Sequence, residues 1–257
     1  MPDLQLVRVD HQHVANADYS GQALDQFSAH GSTFTDCRFD KVKFKQAALG
    51  VGMEVSRYLG CSFDGAALTA LGGYVRFEKC TFRNLKVTKS APDYLEFVDC
   101  TFTGRITGLQ LWGAPLNASD RYARDTASLA RRGEQEPPGY RELALRKRND
   151  IRGNDFSSAQ LIGVEFRFGV DLSAQELPTG DDYLYLPDAE TALLHALAAL
   201  SQDPSEAAGK AQTFLRSRLE HTVAPGQKQL LLRPKDYERS GTLPPHVALA
   251  VEALRHV

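Results

Sequence analysis

The chain is short of the features that mark most functional classes. Its 257 residues contain no apolar run that reaches the roughly 20 residues of a membrane span. Charge of one sign is missing too. Lys and Arg number 30 against 32 Asp and Glu, a net charge of −2, so neither nucleic acid nor an anionic membrane surface is an expected partner. The opening MPDLQLVRVDHQHV lacks a basic stretch followed by an apolar one, so no signal peptide is read there and a cytoplasmic protein is expected. The Arg- and Ala-rich, Met-poor composition fits a bacterial source. There is no G-x-S-x-G, phosphate loop, dinucleotide fingerprint or H-E-x-x-H, and hence no motif for a hydrolase, nucleotide or zinc-protease site. Cysteine is scarce: four residues, too few for a disulfide scaffold and none in a C-x-x-C pair.

Those four cysteines are nonetheless ordered. FTDCRF, YLGCSF, FEKCTF and FVDCTF carry Cys37, Cys61, Cys80 and Cys100, with gaps of 24, 19 and 20 residues. Zinc sites built from cysteine usually pair ligands two to four residues apart. No histidine flanks any of the four, so neither metal nor cofactor is expected on them. Even spacing points instead to an internal repeat.

The repeat unit is five residues. From Ala17 its central positions are Tyr19, Leu24, Ala29, Phe34, Phe39, Phe44 and Leu49. After four extra residues (52–55) come Tyr58, Phe63 and Leu68. After 71–74 come Phe77, Phe82, Val87, Pro92, Phe97 and Phe102, and later Ile151, Phe156, Leu161 and Phe166. A period of five fits neither a helix nor a flat strand. It fits a coil with short flat sides, in which each central residue points inward. The residue two before the centre is usually small (Ala17, Ser32, Cys37, Ala47, Cys61, Ala66, Cys80, Cys100, Ala159) and also belongs inside, nearer a corner. Polar flanking residues face water or make the turns.

ADYSG, NDFSS and AQLIG follow the pattern A-(D/N)-L-x-x, and over roughly residues 17–104 and 149–173 the chain resembles the pentapeptide-repeat family. Gln22, Phe27 and Pro92 depart from the pattern. The resemblance implies a mostly β fold: a right-handed, four-sided β-helix with four units, or twenty residues, per coil. Coils should then lie about 4.8 Å apart. The expected interior ladder is Cys37, Cys61, Cys80, Cys100, Phe39, Phe63, Phe82, Phe102, Phe156, Leu161 and Phe166. Cys37 joins the cysteine column if 52–55 is a bulge, and falls on the neighbouring side if 52–55 is a shortened side. The second is expected, because 71–74 has the look of the same shortened side.

The organisation expected is an N-terminal cap or strand over 1–16, a coil over 17–112, a helical excursion over 113–148, the last coils and exit over 149–187, and an α-helical region over 188–257. In the excursion, Ser119 or Asp120 should cap a helix ending at Gly133, with a second short helix from Tyr140 to Lys147. Unit 100–104 is expected to stack directly on unit 149–153, so that the coil does not need the excursion. The C-terminal helices, with leucines at helical spacing from Leu193 to Leu200 and a Val247–Leu254 stripe, should cover the open end of the coil or form a homodimer.

No catalytic residue is expected. Asp10-His11-Gln12-His13 puts two imidazoles on one strand face, but no third ligand is evident, and a plain surface strand is the expectation. The excursion's eight basic residues outnumber its acidic ones. Arg146-Lys147-Arg148 reads first as a solvated face and second, with Arg131 and Arg132, as a candidate binding patch for a protein partner. A non-enzymatic interaction or scaffold protein is therefore expected. The resemblance implies an alternative, since some members of the family mimic duplex DNA, bind DNA gyrase and protect it from inhibitors. A mimic needs an acidic column. Here residues 1–112 carry 12 acidic and 12 basic side chains, and only 151–187 are acidic, at net −4.

Overall fold

In the computed structural model residues 6–69 and 71–256 are described; residues 1–5 of the expected N-terminal segment, Ala70 and Val257 lie outside the described residues. The chain winds into a parallel β-solenoid of about five turns with four walls. The first wall stacks Leu6–Asp10, Gln26–His30 and Ala47–Val51. It continues through the Gly50–Gly73 and Gly72–Ala91 bridges to Gln110–Trp112 and Glu165–Arg167. The second wall is a six-stranded parallel sheet, from His13–Ala15 to Ile151–Arg152. On the third wall, Asp18, Arg38, Ser62, Thr81, Thr101 and Asp155 pair one above the next. The fourth runs from Ala23–Leu24 through Lys43–Phe44, Ala67–Thr69 and Lys86–Thr88 to Thr107 and Ile162.

The five-residue period explains the walls. Of the central positions only Tyr19 is partly exposed; the others are buried, Pro92 included. Six rings form one continuous stack: Tyr19, Phe39, Phe63, Phe82, Phe102 and Phe156, with centroids 4.4–5.2 Å apart and planes within 17°. The spacing is that of the strands, so each coil adds one ring to a column. Phe34, Tyr58, Phe77 and Phe97 form a second column. The phase also runs upstream of Ala17, because Val9 and Val14 lie beside Ala29 and Phe34. Corners need a left-handed residue. Between the second and third walls that position is Asn16, Asp36, Gly60, Lys79, Asp99 and Gly153 in successive coils, with φ of 52–65°. Asn, Asp and Gly tolerate that backbone best.

The cysteines form a single column. Arg38 pairs with Ser62, Ser62 with Thr81 and Thr81 with Thr101, so the preceding residues Cys37, Cys61, Cys80 and Cys100 align. This corrects the expected placement of Cys37 on a neighbouring side. Residues 52–55 are additional chain at the corner where the first wall meets the second, whereas 71–74 is the shortened side. Every thiol is reduced and buried. The sulfurs donate to carbonyls of the coil below: Cys61 to Phe34 O at 3.5 Å, Cys80 to Tyr58 O at 3.2 Å and Cys100 to Phe77 O at 3.6 Å. Asn154 takes the next rung, its amide bonding Cys100 N at 3.0 Å and Phe97 O at 2.9 Å.

The C-terminal region has its own core. Helices α3 (Ala189–Leu200), α4 (Glu206–Arg218) and α5 (Pro245–Arg255) pack together over Leu193, Ala196, Ala211, Leu215, Ala250 and Leu254. Asp188 and Ser205 cap α3 and α4 through their side chains. An antiparallel pair, Leu184–Leu186 with Leu230–Leu232, joins this bundle to the solenoid. At the junction the fully buried Gln227 accepts hydrogen bonds from Gly169 N and Val170 N and donates to Val170 O. The backbone edge of the last coil is thereby satisfied by side chains rather than left open.

Candidate interaction surface

The excursion does not hang from the solenoid; it is docked on it. It contains α1 (Ala118–Arg132) and α2 (Tyr140–Ala144). Gly133 ends α1 in the left-handed conformation, but the N-cap is Asn117 rather than Ser119 or Asp120, and its side chain makes no cap bond. Helix α2 stops at Ala144, three residues before the expected Lys147. Beneath the helices lies an aromatic cluster outside the solenoid core: Tyr74 and Tyr94 from the coil, Tyr140 and Ala144 from the excursion. Tyr74 and Tyr94 sit 20 residues apart, one coil above the other, with ring centroids 4.5 Å apart and planes tilted by 49°. Tyr140 meets Tyr74 edge-on at 6.1 Å and its hydroxyl donates to the Asp125 carboxylate on α1. The Tyr94 hydroxyl donates to Ala144 O at 2.9 Å, and burial pushes its pKa up to about 12. The Arg121 guanidinium covers both coil rings, 4.7 and 4.8 Å from their centroids.

A buried ionic relay continues this contact. Glu96, 8% exposed, takes Arg76 on one carboxylate oxygen and Arg146 on the other, each at 3.2 Å. Arg76 also reaches Asp150 at 3.0 Å. Carboxylates on both sides hold Arg76 protonated in spite of burial, whereas Arg146 loses part of its proton affinity to desolvation. Asn149 completes the seam, donating to Asp93 O at 2.8 Å and Trp112 O at 2.7 Å.

Two expectations change as a result. Unit 149–153 stacks on 95–99, because Phe97 pairs with Ile151, so the chain rejoins the solenoid on the second wall, one side earlier than expected. Arg146 is not a surface residue, since its charge is committed to Glu96 and the Tyr94 face. The other candidates are exposed but divided. Arg131 and Arg132 close α1, with Arg132 paired to Glu134 at 2.9 Å, while Lys147 and Arg148 lie where the chain returns to the coil. The outer face of α1 presents Ala123, Arg124, Ala127, Ala130 and Arg131 to solvent. The tyrosine anchors escaped sequence reading. Their signal was Tyr74 and Tyr94, two aromatics one coil apart that fall outside the five-residue phase.

Chemically, the interior offers little. Burial pushes the Cys37 and Cys80 thiols up, and the neighbouring Cys80 thiol draws Cys61 the other way. The outer walls alternate in sign. Along the second, Arg57, Glu78, Arg76, Glu96 and Asp150 form a chain of ion pairs. Among the described residues no helix is long and apolar enough to cross a membrane.

No protein-family model matches the chain, and no curated protein matches it. Among solved structures, full-length QnrB1, a plasmid-mediated fluoroquinolone resistance protein, aligns with 68% of this chain and 81% of its own, at 16% identity and a TM-score of 0.28. A trypsin-treated variant of the same protein aligns with 67% of this chain and 79% of its own, at 14% identity and a TM-score of 0.24. Alignments this loose transfer neither partner nor activity.

Proposed function

We propose that the chain is a non-enzymatic interaction scaffold of the pentapeptide-repeat type, in which the solenoid is a rigid mount and α1 the contact element. The observation that carries this reading is the docking of the excursion. Ordering such a segment costs conformational entropy, on the order of 1–2 kcal/mol per residue, so a loop without a role would be free to stay loose. Here Tyr140, Arg121 and Arg146 fasten it to Tyr74, Tyr94 and Glu96, while Arg124, Arg131 and Arg132 stay exposed. The partner fitting that face is a protein with an acidic surface.

Gyrase protection by DNA mimicry is the less favoured reading. It needs a continuous acidic strip, whereas the second wall alternates in sign and the fourth displays Lys43, Lys86 and Arg105. The test is affinity capture from the native host with the intact chain and with a variant carrying Arg124→Glu, Arg131→Glu and Arg132→Glu. The scaffold reading expects a partner held by the first and lost from the second. Protection of gyrase supercoiling from a quinolone by both proteins equally would overturn it.

A further inference from the structure

Twenty residues per coil brings together side chains that the sequence keeps apart. Asp10 ends a first-wall strand and pairs in register with His30, one coil on. His11 follows at the corner, with φ of 47°. Its Nδ1 lies 2.8 Å from Asp10 Oδ1, and His30 Nδ1 lies 3.1 Å from the same oxygen. The two imidazoles meet edge-to-face, centroids 4.5 Å apart at 64°, so their nitrogens converge instead of stacking. His13, the neighbour that sequence alone would choose, is turned away onto Thr35 Oγ1 at 3.0 Å.

The loop 52–55 adds a fourth group. Glu54 Oε1 stands 3.2 Å from His11 Nε2, spanning over Gly31. A Cβ on Gly31 would come 2.7 Å from the Glu54 carboxylate and 3.0 Å from the His11 ring, and one on Gly52 would come 2.3 Å from His30. Both glycines therefore leave the space these side chains fill.

We propose that Asp10, His11 and His30 form a site for a divalent transition ion of the zinc class, with Glu54 as the outer partner that orients His11. Two imidazoles and a carboxylate suit such an ion better than calcium or magnesium, which prefer all-oxygen shells. Bonds of about 2.0–2.2 Å put tetrahedral ligand atoms roughly 3.3 Å apart; Asp10 Oδ1 now lies 2.8 and 3.1 Å from the two imidazole nitrogens, and the ligand atoms of all three residues lie within 4.8 Å of one another, so side-chain adjustment alone can seat the ion. Glu54 accepts the Nε2 proton and leaves Nδ1 for the metal, the usual carboxylate–imidazole arrangement. Water supplies the fourth ligand. Arg8, 3.6 Å from Asp10 Oδ2, holds the carboxylate's other oxygen.

The experiment uses the full chain, reduced and stripped by chelator, titrated with Zn2+ by calorimetry and with Co2+ by absorption. One equivalent is expected to bind, with a cobalt spectrum lacking the sulfur-to-metal band in the near ultraviolet. His30→Ala and Asp10→Asn should remove binding, Glu54→Gln should weaken it about tenfold or more, and His13→Ala should leave it unchanged. Thermal melts should confirm that each variant is folded, as these side chains are exposed or half-buried. Absence of binding, a sulfur-to-metal band, or affinity unaffected by both His30→Ala and Asp10→Asn overturns the proposal.

Discussion

Replacing Tyr140 separates docking of the excursion from folding of the solenoid. Tyr140 is fully buried, but it belongs to the outer aromatic cluster and not to the coil interior. Tyr140→Phe keeps the ring and removes the hydroxyl that donates to Asp125 and accepts from Tyr74 at 3.4 Å. A hydrogen bond to a charged group contributes about 1.5–3 kcal/mol. Asp125 keeps Arg121 at 3.7 Å as a partner, which favours the lower half of that range. Tyr140→Ala also removes the ring, and large-to-small changes of this kind cost about 3–5 kcal/mol. The cost should fall on undocking, because the solenoid ladders and ring columns contain no excursion residue. When opening is fast, proteolysis reports the open population. Each 1.4 kcal/mol is a factor of ten, so trypsin cleavage at exposed Arg131, Arg132 and Arg141 should accelerate about 10- to 40-fold in Tyr140→Phe and further in Tyr140→Ala. The main melting transition should move little, and partner binding should fall in parallel with the cleavage data. Unchanged cleavage would refute the anchor, and a collapse of the main transition would make the excursion part of the solenoid core.

Phe63→Ala and Phe82→Ala should each destabilise the solenoid by about 3–5 kcal/mol in chemical unfolding, because each empties a rung of a continuous ring column, while exposed Lys86→Ala should be nearly neutral. A thiol reagent should leave the four cysteines of the native protein unmodified and label all four in denaturant; fast labelling of the folded chain would contradict the interior column. Gln227→Ala should loosen the C-terminal bundle from the solenoid by about 1–3 kcal/mol, since it strands the buried backbone N–H and C=O of Val170; hydrogen exchange at the Val170 amide is the readout. Glu54 and then Asp10 raise the His11 pKa. Its contribution to stability is thus complete below the ordinary imidazole value and disappears as pH rises through the raised one. Glu54→Gln should lower the His11 titration midpoint by NMR, and no change would dissolve the pair.

The five-residue phase was legible in the chain because it is a local rule. Every fifth residue enters the interior, and the slot two before it is small, so Phe63, Phe82 and Cys80 could be placed without knowing any partner. The C-terminal helices were legible for the same reason, through the 3.6-residue periodicity of Leu193–Leu200 and of the Val247–Leu254 stripe. Decisions that depend on which coil stacks on which were not. Four additional residues at 52–55 can lengthen a corner or form a short side; their likeness to 71–74 pointed to the short side, and only the ladder from Arg38 to Ser62 places Cys37 in the cysteine column. Arg146 looked like one of three exposed cations, but its environment is set by Glu96, fifty residues earlier. His30 joins His11, and Tyr94 joins Tyr74, because residues about twenty apart become neighbours only after the coil closes. The chain by itself determined the shape of each rung; the lateral contacts of its outer surface, where the excursion docks and the imidazoles meet, were decided by tertiary stacking, because an outward-facing side chain carries no periodic signature of what will cover it.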